Sequence, residues 1–550
     1  MAAGFCSVSE FPAETLSDRT TRTLLVLVIA GAALLRVWGL AFGLPHPFTR
    51  PDEEVIVDVA LGAFSDRNPH FFDWPTLFMY LTAIGYAVMF GIERAIGGTI
   101  TDPAVAKSSF EPLLVLIPRA LSVSAGIATV AALFGAAREL FSRRVALIAA
   151  AFLAVAFLHV RDSHFGVTDV PATFLAVCAF WAGLRCATRG LTTGRVAIAG
   201  ALCGLSASTK YNTALVLLPA ALAILSQTIW NQPRSMSLAV RALALLLVCA
   251  TMAFLVGTPF AVLDHQAFLA AVTGVRHHLA NGHVVMARGW TYHAMFTLRY
   301  GLGIPLAVTA VVGGCWLVAR QPRAAVFVLA FPIPYYLVLG SGLTVFVRYM
   351  IPIVPFLCLT AAVAVERFAD TIGRGFPAAR ARDVAAAALV VIIAMPTAVP
   401  SVAFDRLMTK VDTRVIGSDW ISARFPAGVS IYQNGYGYGH VLPRPLERFA
   451  QYTFNEQANR FERDGRPVGP PDLLVLQESP LGFYSRIPPR VAAMAASEYV
   501  RVITFEGISA SRVSGAVYDR DDMFFAPFGG IENAERPGPN VGIFERRRSR

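Results

Sequence analysis

The sequence predicts a polytopic α-helical membrane protein of about 11–13 spans, followed by a C-terminal α/β domain outside the bilayer. Three observations predict it. Of 550 residues, 55% are hydrophobic and only 15% charged, where a soluble chain carries about 25% charged residues, and the mean hydropathy is +0.56. Apolar runs of roughly 20 residues recur from Leu24 to about Phe404, each long enough for a hydrocarbon core of about 30 Å. Beyond Asp405 such runs stop, and turn signals at Gly435-Tyr436-Gly437, Pro470-Pro471 and Pro488-Pro489 separate short apolar stretches.

Residues 1–23 are polar and form a cytoplasmic tail. The run 24–44, broken only by Arg36, is long for a signal-peptide core and has no clear small-residue cleavage site, so it reads as a retained first span. Further spans are expected at 119–141, 145–160, 168–187, 195–210, 212–230, 240–260, 297–319, 324–340, 344–366 and 384–404. Residues 24–404 are then a transmembrane domain with a large first external loop, 45–118. The apolar segment 76–97 decides the topology. As an in-plane or re-entrant helix on the outer side, it leaves Arg143, Arg144, Arg185, Arg189, Arg195, Arg234, Arg320, Arg323, Arg367, Arg374, Arg380 and Arg382 on the cytoplasmic side, the usual place for basic loops. Crossing alone, it would put Arg143 and Arg144 outside; a second crossing nearby would restore the pattern. Residues 45–118, 161–167, 261–296 and 405–550 accordingly face outward. Within 405–550 the runs 472–476 and 500–503 read as strands, and roughly 145 residues suffice for a separate α/β core.

A net charge of +11 would suggest nucleic acid in a soluble protein. Here many basic residues lie in short gaps between apolar runs, with no basic stripe or aromatic platform, so no nucleic-acid partner is expected. All cysteines but Cys6 lie in or beside apolar segments without metal-ligand spacing, and they read as small core residues. His277-His278 lacks the spacing that puts two ligands on one helical face, so neither a metal nor another cofactor is expected. The surrounding loop 260–297 reads as a mobile cover over substrates.

Four polar clusters stand at the ends of apolar runs. The first is Arg50-Pro51-Asp52-Glu53-Glu54, leading to Asn68-Pro69-His70-Phe71-Phe72-Asp73-Trp74-Pro75. Carboxylates beside a bilayer are costly unless solvated or used. They also suit a helix first turn after Pro51, where they offset the helix dipole. The second joins two apolar runs as His159-Val160-Arg161-Asp162-Ser163-His164-Phe165-Gly166-Val167-Thr168-Asp169, too rich in ionisable groups for an ordinary turn. The third, Ser206-Ala207-Ser208-Thr209-Lys210-Tyr211-Asn212, sets Lys210 either as a snorkelling anchor or as a phosphate ligand, without the glycine spacing of a phosphate loop. In the fourth, Phe346-Val347-Arg348-Tyr349-Met350-Ile351-Pro352, a guanidinium stands where it can anchor at the interface or grip phosphate oxygens. The run 432–440 reads as a turn with packed tyrosines or as a sugar-stacking surface.

Taken together these clusters resemble those of the bacterial polyprenyl-phosphate-sugar-dependent glycosyltransferases of the GT-C fold, the group that includes protein O-mannosyltransferases (glycosyltransferase family 39). The first loop, the second loop, the Thr209-Lys210-Tyr211-Asn212 turn and the Arg348-Tyr349 pair carry the resemblance, which extends over most of 24–415. It implies an inverting glycosyltransferase that moves a mannose-like sugar, or another hexose or pentose, from a polyprenyl-phosphate donor to a hydroxyl of a glycan, lipid or protein at the outer face of the plasma (inner) membrane. Asp52 takes the aspartate place of the family's acidic pair and is the implied catalytic base, with Glu53 orienting it or binding the acceptor. Arg161, His164, Asp169, Lys210, Tyr211, Arg348, Tyr349, His70 and Asp73 are the implied donor-phosphate and substrate residues. Where eukaryotic protein mannosyltransferases carry paired prolines in the first loop, this chain has Asp73-Trp74-Pro75-Thr76, which leaves the acceptor open.

A secondary transporter and a non-catalytic membrane scaffold are the rival readings. A transporter would show repeated halves and polar residues at mid-membrane. No repeat is evident, Arg36 is the only clear mid-span charge, and the other clusters gather on one side.

Overall fold

The computed structural model describes residues 16–109, 112–227, 236–282, 284, 286–374 and 381–547. Arg234, His283, Arg380, Arg548 and most of the 1–23 tail, Cys6 included, lie outside the described residues. The chain divides into two compact units. A helical unit is built from Met1–Val37, Val55–Ser109 and Leu113–Val402, and a sheet unit chiefly from Trp38–Glu54 and Ala403–Arg550. Residues 45–54 of the expected first loop thus pack with the C-terminal chain.

Among the described residues, seven helical segments are long and apolar enough to cross a bilayer: Asp18–Val37, Leu77–Ile96, Pro112–Leu140, Asp169–Arg189, Met236–Gly257, Val347–Gly373 and a segment starting at Ala381. Three bent pairs and the shorter apolar helices Thr193–Ala207 and Tyr211–Ser226 complete the set, so the chain is a multi-pass membrane protein. Several expected boundaries shift for identifiable reasons. The first helix ends at Val37, and the chain beyond turns through Gly39 and Gly43 at φ +87° and +68°, which ends the apolar rod well before residue 44. Within the segment 76–97, Leu77–Ile96 is one unbroken 20-residue helix, long and apolar enough to cross a bilayer. The expected span 297–319 is two helices, Gly289–Gly301 and Ile304–Arg320, bent by 118°. Gly303 at φ +77° and Pro305 in the first turn of the second helix make that corner.

The expected span 145–160 also breaks, with 57° between Arg143–Val155 and Phe157–Ser163. Ala156 takes an extended conformation, which strands carbonyls on one side of the break and an N–H on the other. Each finds a partner. The Arg36 guanidinium donates to the carbonyls of Leu153 (3.1 Å) and Ala154 (2.9 Å), Ser401 Oγ donates to Val155 O (3.0 Å), and Phe157 N–H donates to Thr397 Oγ1 (2.8 Å). Arg36 also reaches His159 Nδ1 at 3.0 Å. The mid-span arginine therefore serves as a helix cap.

In the sheet unit seven strands, β1 (Ser430–Gln433), β2 (Ala450–Asn455), β3 (Arg460–Arg463), β4 (Arg466–Val468), β5 (Leu473–Glu478), β6 (Tyr499–Phe505) and β7 (Asn540–Arg546), line up as β4-β3-β2-β1-β5-β7-β6. β1 runs parallel to both its neighbours, β2 and β5; the remaining pairs are antiparallel. The run Leu473-Leu474-Val475-Leu476 is apolar on both faces because the sheet is covered on both. One face packs Leu474 and Leu476 against Val491 and Met494 of helix Pro489–Ser497, and the other packs Leu473 and Val475 against Ile421 of helix Thr413–Arg424.

Candidate active site

The helical unit brings three of the four sequence clusters' residues together. Asp169 opens helix Asp169–Arg189, and Lys210 stands just before the 3-10 turn Tyr211–Val216. Both are buried, and the Lys210 ammonium pairs with the Asp169 carboxylate. The same ammonium lies 5.3 Å from the Tyr349 ring centroid, a cation–π distance. Burial this deep excludes the snorkelling reading, since an anchoring lysine keeps its charge in water. Tyr335, fully buried, lies within electrostatic reach of Asp169 and Tyr349. Its hydroxyl has no hydrogen-bond partner among the described residues.

Beside Tyr349 the chain stacks aromatic and cationic groups. The Arg348 guanidinium sits 4.4 Å from the Phe346 ring; Phe346 in turn packs on Tyr349 at 5.5 Å and stacks on His278 at 6.4 Å. Asp73 is exposed, yet desolvation of its carboxyl pushes it up, against a smaller downward pull from His278. Tyr211 donates its hydroxyl to Phe72 O at 2.9 Å and packs on Phe268. Arg161 is buried, pairs with Asp162 at 3.0 Å and lies 5.1 Å from the Phe165 ring. His164 Nδ1 hydrogen-bonds the carbonyl of Val160 at 3.0 Å, and the ring is buried. His70 differs from the rest: it is exposed and joined to exposed Asp66 at 2.7 Å. Among the described residues no group of three or more His, Cys, Asp or Glu has the arrangement of a metal site.

The acidic run Asp52-Glu53-Glu54 falls in the sheet unit. Asp52 is partly exposed and held at φ 76°, a left-handed conformation that costs a non-glycine residue of order 1 kcal/mol or more and concentrates at working sites. Glu53 is buried at the start of helix Glu53–Gly62. Arg50 is clamped by both oxygens of Asp522, at 2.9 and 2.8 Å, with Phe524 under its guanidinium at 5.7 Å. Glu54 accepts a hydrogen bond from Tyr438, and burial pushes its carboxyl up to about 7 despite that bond.

Residues 114–255 match the family model described as dolichyl-phosphate-mannose-protein mannosyltransferase. No curated protein matches the chain. Among solved structures, ArnT from Cupriavidus metallidurans bound to undecaprenyl phosphate superposes with a TM-score of 0.53 at 15% identity, covering 94% of this chain and 97% of that one. The chain has the GT-C fold. The oligosaccharyltransferase of Archaeoglobus fulgidus in its apo form gives a TM-score of 0.51 at 14% identity, over 79% of this chain. There the likeness spans 64% of the other protein's length, less than two thirds. In this GT-C chain the family-model match contains Arg161, His164, Asp169, Lys210 and Tyr211 but stops short of Arg348 and Tyr349.

Sequence reading passed over Glu54, Tyr438, Tyr335 and the Arg50–Asp522 pair. Glu54 stands in plain view as the third acid in a row after Pro51, and Tyr438 lies in a glycine-tyrosine run that reads equally as a packed turn. The partners of Arg50 and Tyr335 are remote in sequence, and no spacing signals them.

Proposed function

We propose that this chain is an integral-membrane inverting glycosyltransferase. It moves a sugar from a polyprenyl-phosphate donor to an acceptor hydroxyl on a glycan, lipid or protein, at the outer face of the plasma (inner) membrane, where the 405–550 domain also lies. The observation that carries the reading is the buried Lys210–Asp169 pair under Tyr349 in a chain of GT-C fold. A buried ion pair is costly to keep at the end of an apolar helix, and ionisable groups held at such depth mark working sites. ArnT, which shares the fold along nearly its whole length, binds undecaprenyl phosphate.

The chemistry assigns roles. Asp52 takes the proton of the acceptor hydroxyl, whose oxygen attacks the anomeric carbon from the face opposite the phosphate. The bond from that carbon to the phosphate oxygen breaks, and the lipid phosphate leaves with the electron pair. Lys210, Arg348 and Arg161 meet the charge that develops on it, Arg348 through a planar fork. Glu53 orients the base, and Asp169 holds Lys210 in place. His164, Tyr211, Tyr349, Asp73 and His70 line the substrates, His70 from the exposed loop. Arg36, the charge a transporter reading would use, is engaged as a helix cap, which favours the enzyme. In a deletion strain the polyprenyl-phosphate sugar should accumulate and its glycosylated product disappear; unchanged pools of both would contradict the proposal.

A further inference from the structure

The acidic run is held by the sheet unit at a particular place. In open α/β sheets, ligands sit beyond the carboxyl ends of parallel strands. Here β1 is the strand with parallel neighbours on both sides, and its carboxyl end runs into 434–440. That segment is tightly fixed. Asn434 Nδ2 donates to the carbonyls of Gln477 and Ser485, both at 3.0 Å, and Gln477 N–H donates to Asn434 Oδ1 at 2.7 Å. Gly435, at φ +72°, and Gly439 lie so close to Tyr484 and Gln477 that a β-carbon would meet them at 2.4 and 1.5 Å. Tyr438 is thereby presented on a rigid support.

The segment 46–54 is pinned to this support at several points. His46 Nε2 donates to His440 O at 2.9 Å, in keeping with a ring whose pKa burial and Arg414 lower to about 3. Arg414, anchored on Asp412, donates to Phe48 O at 2.9 Å and also to Tyr438 O. The Phe48 and Tyr438 rings meet edge to face at 5.9 Å. At the end of the segment the Tyr438 hydroxyl donates to Glu54 Oε1. Glu54 Oε2 is buried and has no hydrogen-bond partner among the described residues. One carboxylate oxygen is thus aimed by a tyrosine while the other is left open for a proton.

We propose that Glu54 is the proton-relay carboxylate of the acidic run and that Tyr438 is its positioning residue. The inference rests on the glycosyltransferase reading. The acceptor hydroxyl gives its proton to Asp52 as its oxygen bonds to the sugar and the phosphate leaves with the electron pair. Asp52 passes the proton to Glu54 Oε2, and Glu54 returns it to water before the next cycle. Burial raises the Glu54 pKa, the hydrogen bond from the neutral Tyr438 lowers it, and the facing carboxyl groups of Asp52 and Glu53 raise it further. A relay is useful only if it can be emptied near neutral pH, and a carboxyl pushed up to about 7 meets that condition.

The sign follows. The relay works when Glu54 is ionised, so turnover falls as pH drops through its pKa. Removing the Tyr438 hydroxyl removes a bond to the ionised form, so the acid limb moves to higher pH, by roughly half to one unit. Two measurements on the full-length protein test this. Infrared difference titration of the purified chain should show a carboxyl with a midpoint near 7, absent in Glu54→Gln and displaced upward in Tyr438→Phe. Transfer from radiolabelled polyprenyl-phosphate mannose in native membranes should fall at least tenfold in Glu54→Gln, with the acid limb shifted in Tyr438→Phe. An identical infrared titration in all three proteins overturns the inference, as does a wild-type rate and pH profile in Glu54→Gln. If Asp52→Asn is inactive while Glu54→Gln is normal, the relay fails and the enzyme reading stands. If the wild type transfers neither mannose nor another hexose or pentose from polyprenyl-phosphate donors, both fall.

Discussion

In the proposed reaction, Arg348, Lys210 and Asp52 each do something that a near-isosteric or same-charge replacement cannot copy. The Arg348 guanidinium lies 4.4 Å from the Phe346 ring centroid, and its planar fork, which a lysine lacks, suits phosphate oxygens. Arg348→Ala should therefore weaken donor use strongly and Arg348→Lys should restore only part of it, read as donor affinity and turnover. Lys210→Ala leaves Asp169 as a buried carboxylate without its cation. It should impair donor binding and lower thermal stability together, leaving the choice of acceptor unchanged. Unchanged donor affinity in both Ala variants would reduce these side chains to structural parts. At this scale the sequence showed residue types and their nearness to apolar ends. It did not show that Lys210 and Asp169, from two different clusters, neutralise each other, because pairing across helices leaves no trace in spacing.

At the scale of elements, the helices that matter are the broken ones. An apolar run tells where a helix can cross but says little about where its axis turns, since hydropathy is blind to carbonyls. The 145–160 break occurs at an alanine, with no proline or glycine in its sequence to announce it. Its cause lies elsewhere in the chain, in Arg36, Thr397 and Ser401. The 297–319 corner, by contrast, carries Gly303 and Pro305 and was legible in principle. Arg36→Met should strip two carbonyls of their charged donor and cost about 2–5 kcal/mol, visible as a large fall in melting temperature of the detergent-solubilised protein. A thermal midpoint unchanged from wild type would show that the bend is held by other means.

For the whole molecule, composition, the recurring apolar runs and the turn signals beyond Asp405 were enough for a multi-pass membrane chain with a C-terminal α/β unit, because they follow from bulk solvation and local turn chemistry and need no tertiary knowledge. The assignment of Trp38–Glu54 to the sheet unit was not legible: Arg50 and Asp522 are separated by nearly the entire chain. The proposed topology makes the sheet unit extracytoplasmic. Ser511→Cys, at an exposed position, should be labelled by an impermeant thiol reagent from the outer side of intact cells, and labelling solely from the cytoplasmic side would invert the topology. The central claim concerns the reaction, and it is tested most directly by sugar transfer from a polyprenyl-phosphate donor by purified protein, wild type against Asp52→Asn. The substitution keeps the shape of the side chain and removes its capacity to take a proton. With a monodisperse, inserted variant, the account predicts turnover by the wild type and a fall of about 10²–10⁴-fold in Asp52→Asn. Near-normal transfer by that variant, or none by the wild type, would contradict it.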